Sequence, residues 1–179
     1  MNNKKNTIEQ LFSFIKKSPT SYHAAQTTKE MLDANGFQML QENTPWTLTP
    51  GGRYFVTRNL SSVIAFCLPQ NDPGNFHITA SHSDSPSFKI KENPELPSGD
   101  IYVRLNVEKY GGMLMAPWMD RPLSVAGRVL IRNGNTIVTK LINIDRDLLL
   151  IPNLAIHMNP DANNGLRYDP QKDMLPLYG

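Results

Sequence analysis

His82 and Asp84 stand two residues apart in Ala80-Ser81-His82-Ser83-Asp84-Ser85-Pro86. A neutral imidazole is a good zinc ligand, and a nearby carboxylate can hold its other nitrogen and so fix the tautomer. In an extended segment residues two apart face the same side, so both can point into one pocket. The same residues also read as a capped loop, because Asp84-Ser85-Pro86 is ordinary turn chemistry. His157 follows the apolar stretch Ile151-Pro152-Asn153-Leu154-Ala155-Ile156 and reads either as a core histidine or as a site residue. His23 and His77 fall inside a predicted helix and a predicted strand and read as structural. Tyr110-Gly111-Gly112 either admits a ligand close to the backbone or makes a turn. Asp120 and Arg121 fit an exposed ion pair of small worth. Met113, Leu114, Met115 and Trp118 fit buried packing or a subunit contact. There is no G-x-G-x-x-G phosphate loop, and Ser61, Ser62, Ser81 and Ser85 lack the setting of a nucleophile elbow.

Two helices open the chain. Ile8, Leu11, Phe12 and Ile15 recur at helical spacing, and Ser18-Pro19 stops the run. The second helix is expected from Tyr22 to Asn35, with Ser21 as N-cap and Gly36 as the left-handed residue after its end. Ala24, Ala25, Thr28, Met31 and Leu32 form its expected buried side. Arg53–Thr57 and Ser62–Leu68 read as a hairpin closed by Asn59-Leu60-Ser61. Phe76–Ser81 reads as a third strand that delivers the His82 cluster at its carboxyl end, where ligands of open α/β sheets gather. Beyond residue 88 the pattern is β-rich. Strands are expected at Phe88–Lys91, Ile101–Val107, Ser124–Arg132, Thr136–Ile144 and Leu148–Pro152. Asn133-Gly134-Asn135 is a hairpin signal, and Glu92–Gly99 reads as a boundary loop.

The composition narrows the class. The chain has 179 residues, 40% hydrophobic and 19% charged, enough for one domain or a domain with a large insert. No apolar run approaches the ~20 residues of a membrane span. Met1–Lys5 is polar and opens no signal-peptide core. The net charge is +2 without any Lys/Arg block, so neither nucleic acid nor a membrane is an expected partner. The single cysteine, Cys67, excludes an internal disulfide and reads as an inert core thiol in a reducing compartment.

Five stretches carry a resemblance. They are Ser18-Pro19-Thr20-Ser21-Tyr22-His23-Ala24, Tyr54-Phe55-Val56-Thr57-Arg58-Asn59, and the His82 segment. Trp118-x-Asp120-Arg121-x-Leu123-x-x-Ala126-Gly127-Arg128-Val129 and Ile151-Pro152-x-Leu154-Ala155-Ile156-His157 complete them. In that order they resemble the M18 family of metalloaminopeptidases, the aspartyl aminopeptidase group. Ser83 sits where the resemblance assigns no chemistry, and Met113 where it calls for a further glycine.

The resemblance implies an α/β fold class: a partial zinc-exopeptidase-like α/β unit at 1–87, then a β-rich inserted dimerisation domain at 88–179. It implies a cytoplasmic aminopeptidase with two zinc ions (Zn2+), removing N-terminal, often acidic, residues from peptide substrates. His82 would be a zinc ligand and Asp84 its orienting carboxylate. His157 would reach the active site of a neighbouring subunit in a homo-oligomer built through the β-rich domain. Zinc, cobalt and manganese share such nitrogen and oxygen sites. In the family the remaining ligands and the carboxylate base lie beyond the inserted domain, so the chain reads as truncated before them. The competing class is a non-catalytic scaffold that retains the dimerisation half.

Overall fold

The computed structural model describes residues 2–71 and 74–178; Met1, Asp72, Pro73 and Gly179, and the side chains of residues 2–5, lie outside the description. The reading of Met1–Lys5 as a polar start falls there. The chain divides into two compact units. One joins Met1–Ser85 with Ala126–Asn143, and the other joins Pro86–Val125 with Ile144–Gly179.

In the first unit, helix α1 spans Asn2–Lys17 and helix α2 spans Ser21–Ala34. The Pro19 ring cannot continue α1, and the Ser18 N–H closes its last turn on the Ile15 carbonyl at 3.1 Å. The N-cap of α2 is Thr20, not Ser21: Thr20 is extended, and its hydroxyl accepts the His23 N–H at 3.4 Å. Both residues are good caps, but only the first lies outside the helical backbone. At the other end Gly36 adopts φ +76°. The Gly36 N–H donates to Asp33 O at 3.1 Å and the Phe37 N–H to Leu32 O at 3.0 Å, the paired bonds of a Schellman motif. Ala24, Ala25 and Thr27 are buried; of the expected face, Thr28 and Leu32 are half-buried and Met31 is exposed. The apolar stripe of α1 is exposed too, with Phe12 at 63%.

The reversal at Gly36 leads into a three-stranded sheet of order β1-β2-β3, comprising Gln38–Met39, Arg53–Arg58 and Ser62–Cys67. β1 runs parallel to β2, and β2 antiparallel to β3. Tyr54, Phe55 and Val56 are consecutive and all buried, so the central strand is covered on both faces. Leu40, Tyr54 and Val56 form a cluster with Phe66 and Leu68 packed against it. The Tyr54 and Phe66 rings lie 5.6 Å apart, and the Tyr54 hydroxyl accepts the Thr49 N–H at 2.9 Å. Asn59, Leu60 and Ser61 close the β2–β3 hairpin as expected, with Asn59 at φ 52° and Leu60 at φ 59°. β3 is an edge strand with Ser62, Ile64, Ala65 and Cys67 all exposed, which corrects the reading of Cys67 as a core thiol.

The expected strand Phe76–Ser81 does not form. An isolated strand cannot satisfy its own N–H and C=O groups, and no described strand pairs with it. Phe76 and Ile78 are 84% and 87% exposed, and His77 is exposed outside any strand. The hairpin of β6 (Ala126–Asn133) and β7 (Thr136–Asn143) completes this unit. Its two-residue turn, Gly134-Asn135, with Gly134 at φ +59°, is the one read from sequence.

The second unit is built on β4 (Ser87–Ser98), β5 (Tyr102–Tyr110) and β8 (Leu177–Tyr178), antiparallel in the order β4-β5-β8. Glu92–Ser98, expected as loop, belongs to β4. An irregularity between Ile90 and Glu95 absorbs Pro94, and the edge position of β4 tolerates Pro97. Leu148–Pro152 makes only isolated bridges: Leu149 pairs with Leu123, and Leu150 with Leu177. Val107, Leu149, Ile151, Met174 and Leu175 are buried. Trp118, at the end of the 3-10 turn Ala116–Trp118, meets Phe88 edge-on at 5.1 Å. No helix among the described residues is long and apolar enough to cross a membrane.

Candidate metal centre

His82 lies in an irregular segment, not at a strand end. The local geometry nonetheless joins the pair: His82 Nδ1 and Asp84 Oδ1 are 2.9 Å apart. An ionised carboxylate only accepts, so the Nδ1 carries the proton and Nε2 keeps the lone pair that binds metal. His82 is 92% exposed in its side chain and Asp84 32%. Between them the Ser83 hydroxyl turns away and donates to Ser61 O at 2.9 Å, on the β2–β3 turn. The donor chemistry fits one zinc ligand with its orienting carboxylate. Among the described residues no group of three His, Cys, Asp or Glu side chains is placed to hold a metal.

His23 sits in the first turn of α2, its Nδ1 2.8 Å from Thr20 Oγ1. Burial holds its imidazolium below the usual range. It packs against the Thr20 cap of α2, as expected of a structural histidine.

In the second unit His157 is exposed in a turn, so the core-histidine reading fails. Asn153 and Leu154 precede it without regular structure, and the Met158 N–H closes the turn on Ala155 O at 2.8 Å. Asp120 anchors this segment. Its N–H donates to Ile151 O at 2.9 Å, and its Oδ1 accepts the Asn153 N–H at 2.9 Å. Asp120 adopts φ 54°, and Arg121 donates to Pro117 O at 3.3 Å, so the two do not form the exposed ion pair expected of them. The sequence signal was an aspartate after a proline-containing turn, a type tolerant of left-handed backbone. Gly111, at φ +78°, serves a turn over Pro86, where an added Cβ would lie 3.4 Å from the ring. Beside the His157 segment a groove of about 360 Å³ is lined by Arg104, Asn153, Leu154, Met158 and Tyr168, among others.

Comparison with known proteins supplies what geometry alone does not. The family model described as aminopeptidase I zinc metalloprotease (M18) matches residues 14–179. A probable M18 family aminopeptidase 2 of Clostridium novyi is 43% identical over 183 residues, covering 100% of this chain and 42% of the relative. Its counterpart in Clostridium acetobutylicum is 45% identical with the same coverage. The chain thus spans about two-fifths of these curated relatives. Among solved structures, one of the Ape4 and Nbr1 complex superposes with a TM-score of 0.88 at 42% identity, covering 93% of this chain and 33% of that one. The Saccharomyces cerevisiae mApe1 dodecamer gives 0.77 at 26% identity, covering 98% of this chain and 39% of that one. A match across nearly the whole sequence, over a chain that carries the His82–Asp84 pair, places this chain in the M18 family of zinc metalloproteases.

Proposed function

We propose that these residues form the amino-terminal part of a zinc-dependent aminopeptidase that removes N-terminal, acidic residues from peptides in the cytoplasm. The observation that carries this reading is the 2.9 Å His82–Asp84 bond in a chain of this family. His82 holds one of two zinc ions through Nε2, and Asp84 fixes the tautomer that makes this possible. Zinc, when bound, supplies Lewis acidity at the scissile carbonyl. The other ligands and the carboxylate base come from residues of the longer enzyme. Residues 1–87 carry the metal-binding pair, and the β-rich residues 88–179 supply the association into a homo-oligomer. The dodecamer described for the yeast neighbour supports association. Exposed His157 donates a hydrogen bond to the developing oxyanion in a neighbouring subunit.

The test uses a full-length enzyme containing this segment. His82→Ala and His157→Ala are each expected to be nearly inactive, since losing one oxyanion donor costs roughly 10²–10³ in turnover. Refolded together, they form mixed dimers in which one site has both histidines intact, and part of the activity returns. Full activity in His82→Ala refutes the metal assignment. No recovery in proven mixed assemblies places His157 in its own subunit's site. The 179-residue chain itself should hold zinc weakly, because one or two ligands do not enclose the ion. Two tightly bound zinc ions per chain after dialysis would overturn that account.

A further inference from the structure

We propose that Ser83 and Arg128 are positioning residues for the His82–Asp84 pair. The metal role of that pair rests on the function proposed above; the brace itself rests on four contacts within the first unit. His82 is 92% exposed, so packing does not hold its ring. What holds the pair is the backbone between its members. There the Ser83 hydroxyl donates to Ser61 O at 2.9 Å, drawing the midpoint of the pair onto the β2–β3 turn while the flanking side chains meet each other.

That turn closes through the Ser61 N–H, which donates to Arg58 O at 3.1 Å, yet its backbone is costly. Asn59 and Leu60 both sit in left-handed backbone, which a leucine adopts only when its surroundings insist. The Arg128 Nη1 supplies that insistence by donating to Asn59 O at 3.2 Å. Arg128 is in turn located by the Tyr22 ring, whose centroid lies 4.3 Å from its guanidinium carbon. A residue 69 positions from Asn59 therefore steadies the turn to which the pair is tied. Active-site side chains held within a few tenths of an ångström need such support from outside the first ring of residues.

The test needs neither metal nor turnover. Long-range 1H–15N imidazole spectra of this chain, with His82 assigned by His82→Gln, report the ratio of its Nδ1–H and Nε2–H tautomers. Ser83→Ala and Arg128→Leu should each lower that ratio by roughly a factor of 5, the equilibrium effect of one net hydrogen bond. Ser83→Thr, which keeps the hydroxyl, should restore it. A merely structural role would lower the melting temperature and leave the ratio alone. An unchanged ratio in both variants overturns the proposal, and a change in Ser83→Ala alone removes Arg128 from it. In the full-length enzyme, zinc affinity measured by chelator competition should fall roughly tenfold in Ser83→Ala and return in Ser83→Thr. If His82→Ala holds zinc normally, the metal assignment fails, while the tautomer ratios still decide the brace.

Discussion

Substitution of Asp120 separates two forces that hold the His157 segment. Asp120 combines a left-handed backbone, φ 54°, with a hydrogen bond from the Asn153 N–H at 2.9 Å. Alanine loses the acceptor and dislikes the backbone. The first loss is roughly 0.5–1.5 kcal/mol for an exposed bond. The second is roughly 1–2 kcal/mol in full and smaller as a difference from aspartate, which visits this region more readily. Together they come to about 2 kcal/mol. Glycine loses the acceptor but accepts the backbone, so about 1 kcal/mol remains. Asparagine keeps both an oxygen acceptor and left-handed tolerance and should be nearly neutral. At about 2–4 °C per kcal/mol, melting should fall about 4–8 °C in Asp120→Ala and about half that in Asp120→Gly. The two tryptophans, Trp46 and Trp118, lie in different units, so a Trp46→Phe background isolates the response beside Asp120. Fluorescence-detected melting of the three variants, with amide exchange at Asn153, gives the comparison. Equal losses in the alanine and glycine variants would refute the backbone term. An asparagine variant as damaged as alanine would refute the acceptor term.

Gly36→Ala should cost about 1 kcal/mol in urea unfolding, because nothing lies within 4 Å of the added Cβ and only the positive φ resists it. Gly36→Asn should lose less, and equal losses would mean that strain at φ +76° is not the cause. Burial lowers the His23 pKa, so the unfolded chain binds more protons and stability falls as pH drops below about 6.5. That loss is complete once pH passes below the folded pKa. His23→Gln should flatten this part of the stability–pH curve, and an unchanged slope would assign it to other groups.

The parts of the fold legible in the sequence are those set by neighbours along the chain. Pro19 stops α1 because it lacks an N–H, and Gly36 ends α2 because it accepts positive φ. The turns at 59–61 and 134–135 are placed by residues within them, although Arg128 steadies the first from afar, and the His82–Asp84 contact needs only a separation of two. What sequence did not disclose depends on partners far away. Phe76–Ser81 has the pattern of a strand, but a strand exists only with a ladder beside it. Glu92–Ser98 reads as loop until an edge position excuses its prolines. Cys67 and Met31 have apolar neighbours, yet exposure is decided by what covers them. Asp120 meets Asn153, Ser83 meets Ser61 and Arg128 meets Asn59 across distances that no local spacing encodes.

The first unit is discontinuous: residues 86–125 pass through the other unit before the β6–β7 hairpin returns. This imposes an order in time during synthesis. Once Ser85 has left the ribosome, α1, α2 and the β1-β2-β3 sheet have all their residues, but Arg128 does not yet exist. At roughly 5–20 residues per second, residues 86–143 take about 3–12 s to be made. A nascent chain in that interval can close the β2–β3 hairpin, a process of microseconds. It holds the left-handed Asn59-Leu60 pair without its arginine. Docking of the hairpin must then repay the entropy of a long loop, which grows only logarithmically with length. The segment bearing His82 is therefore translated early and braced late, so its final geometry belongs to the last steps of folding.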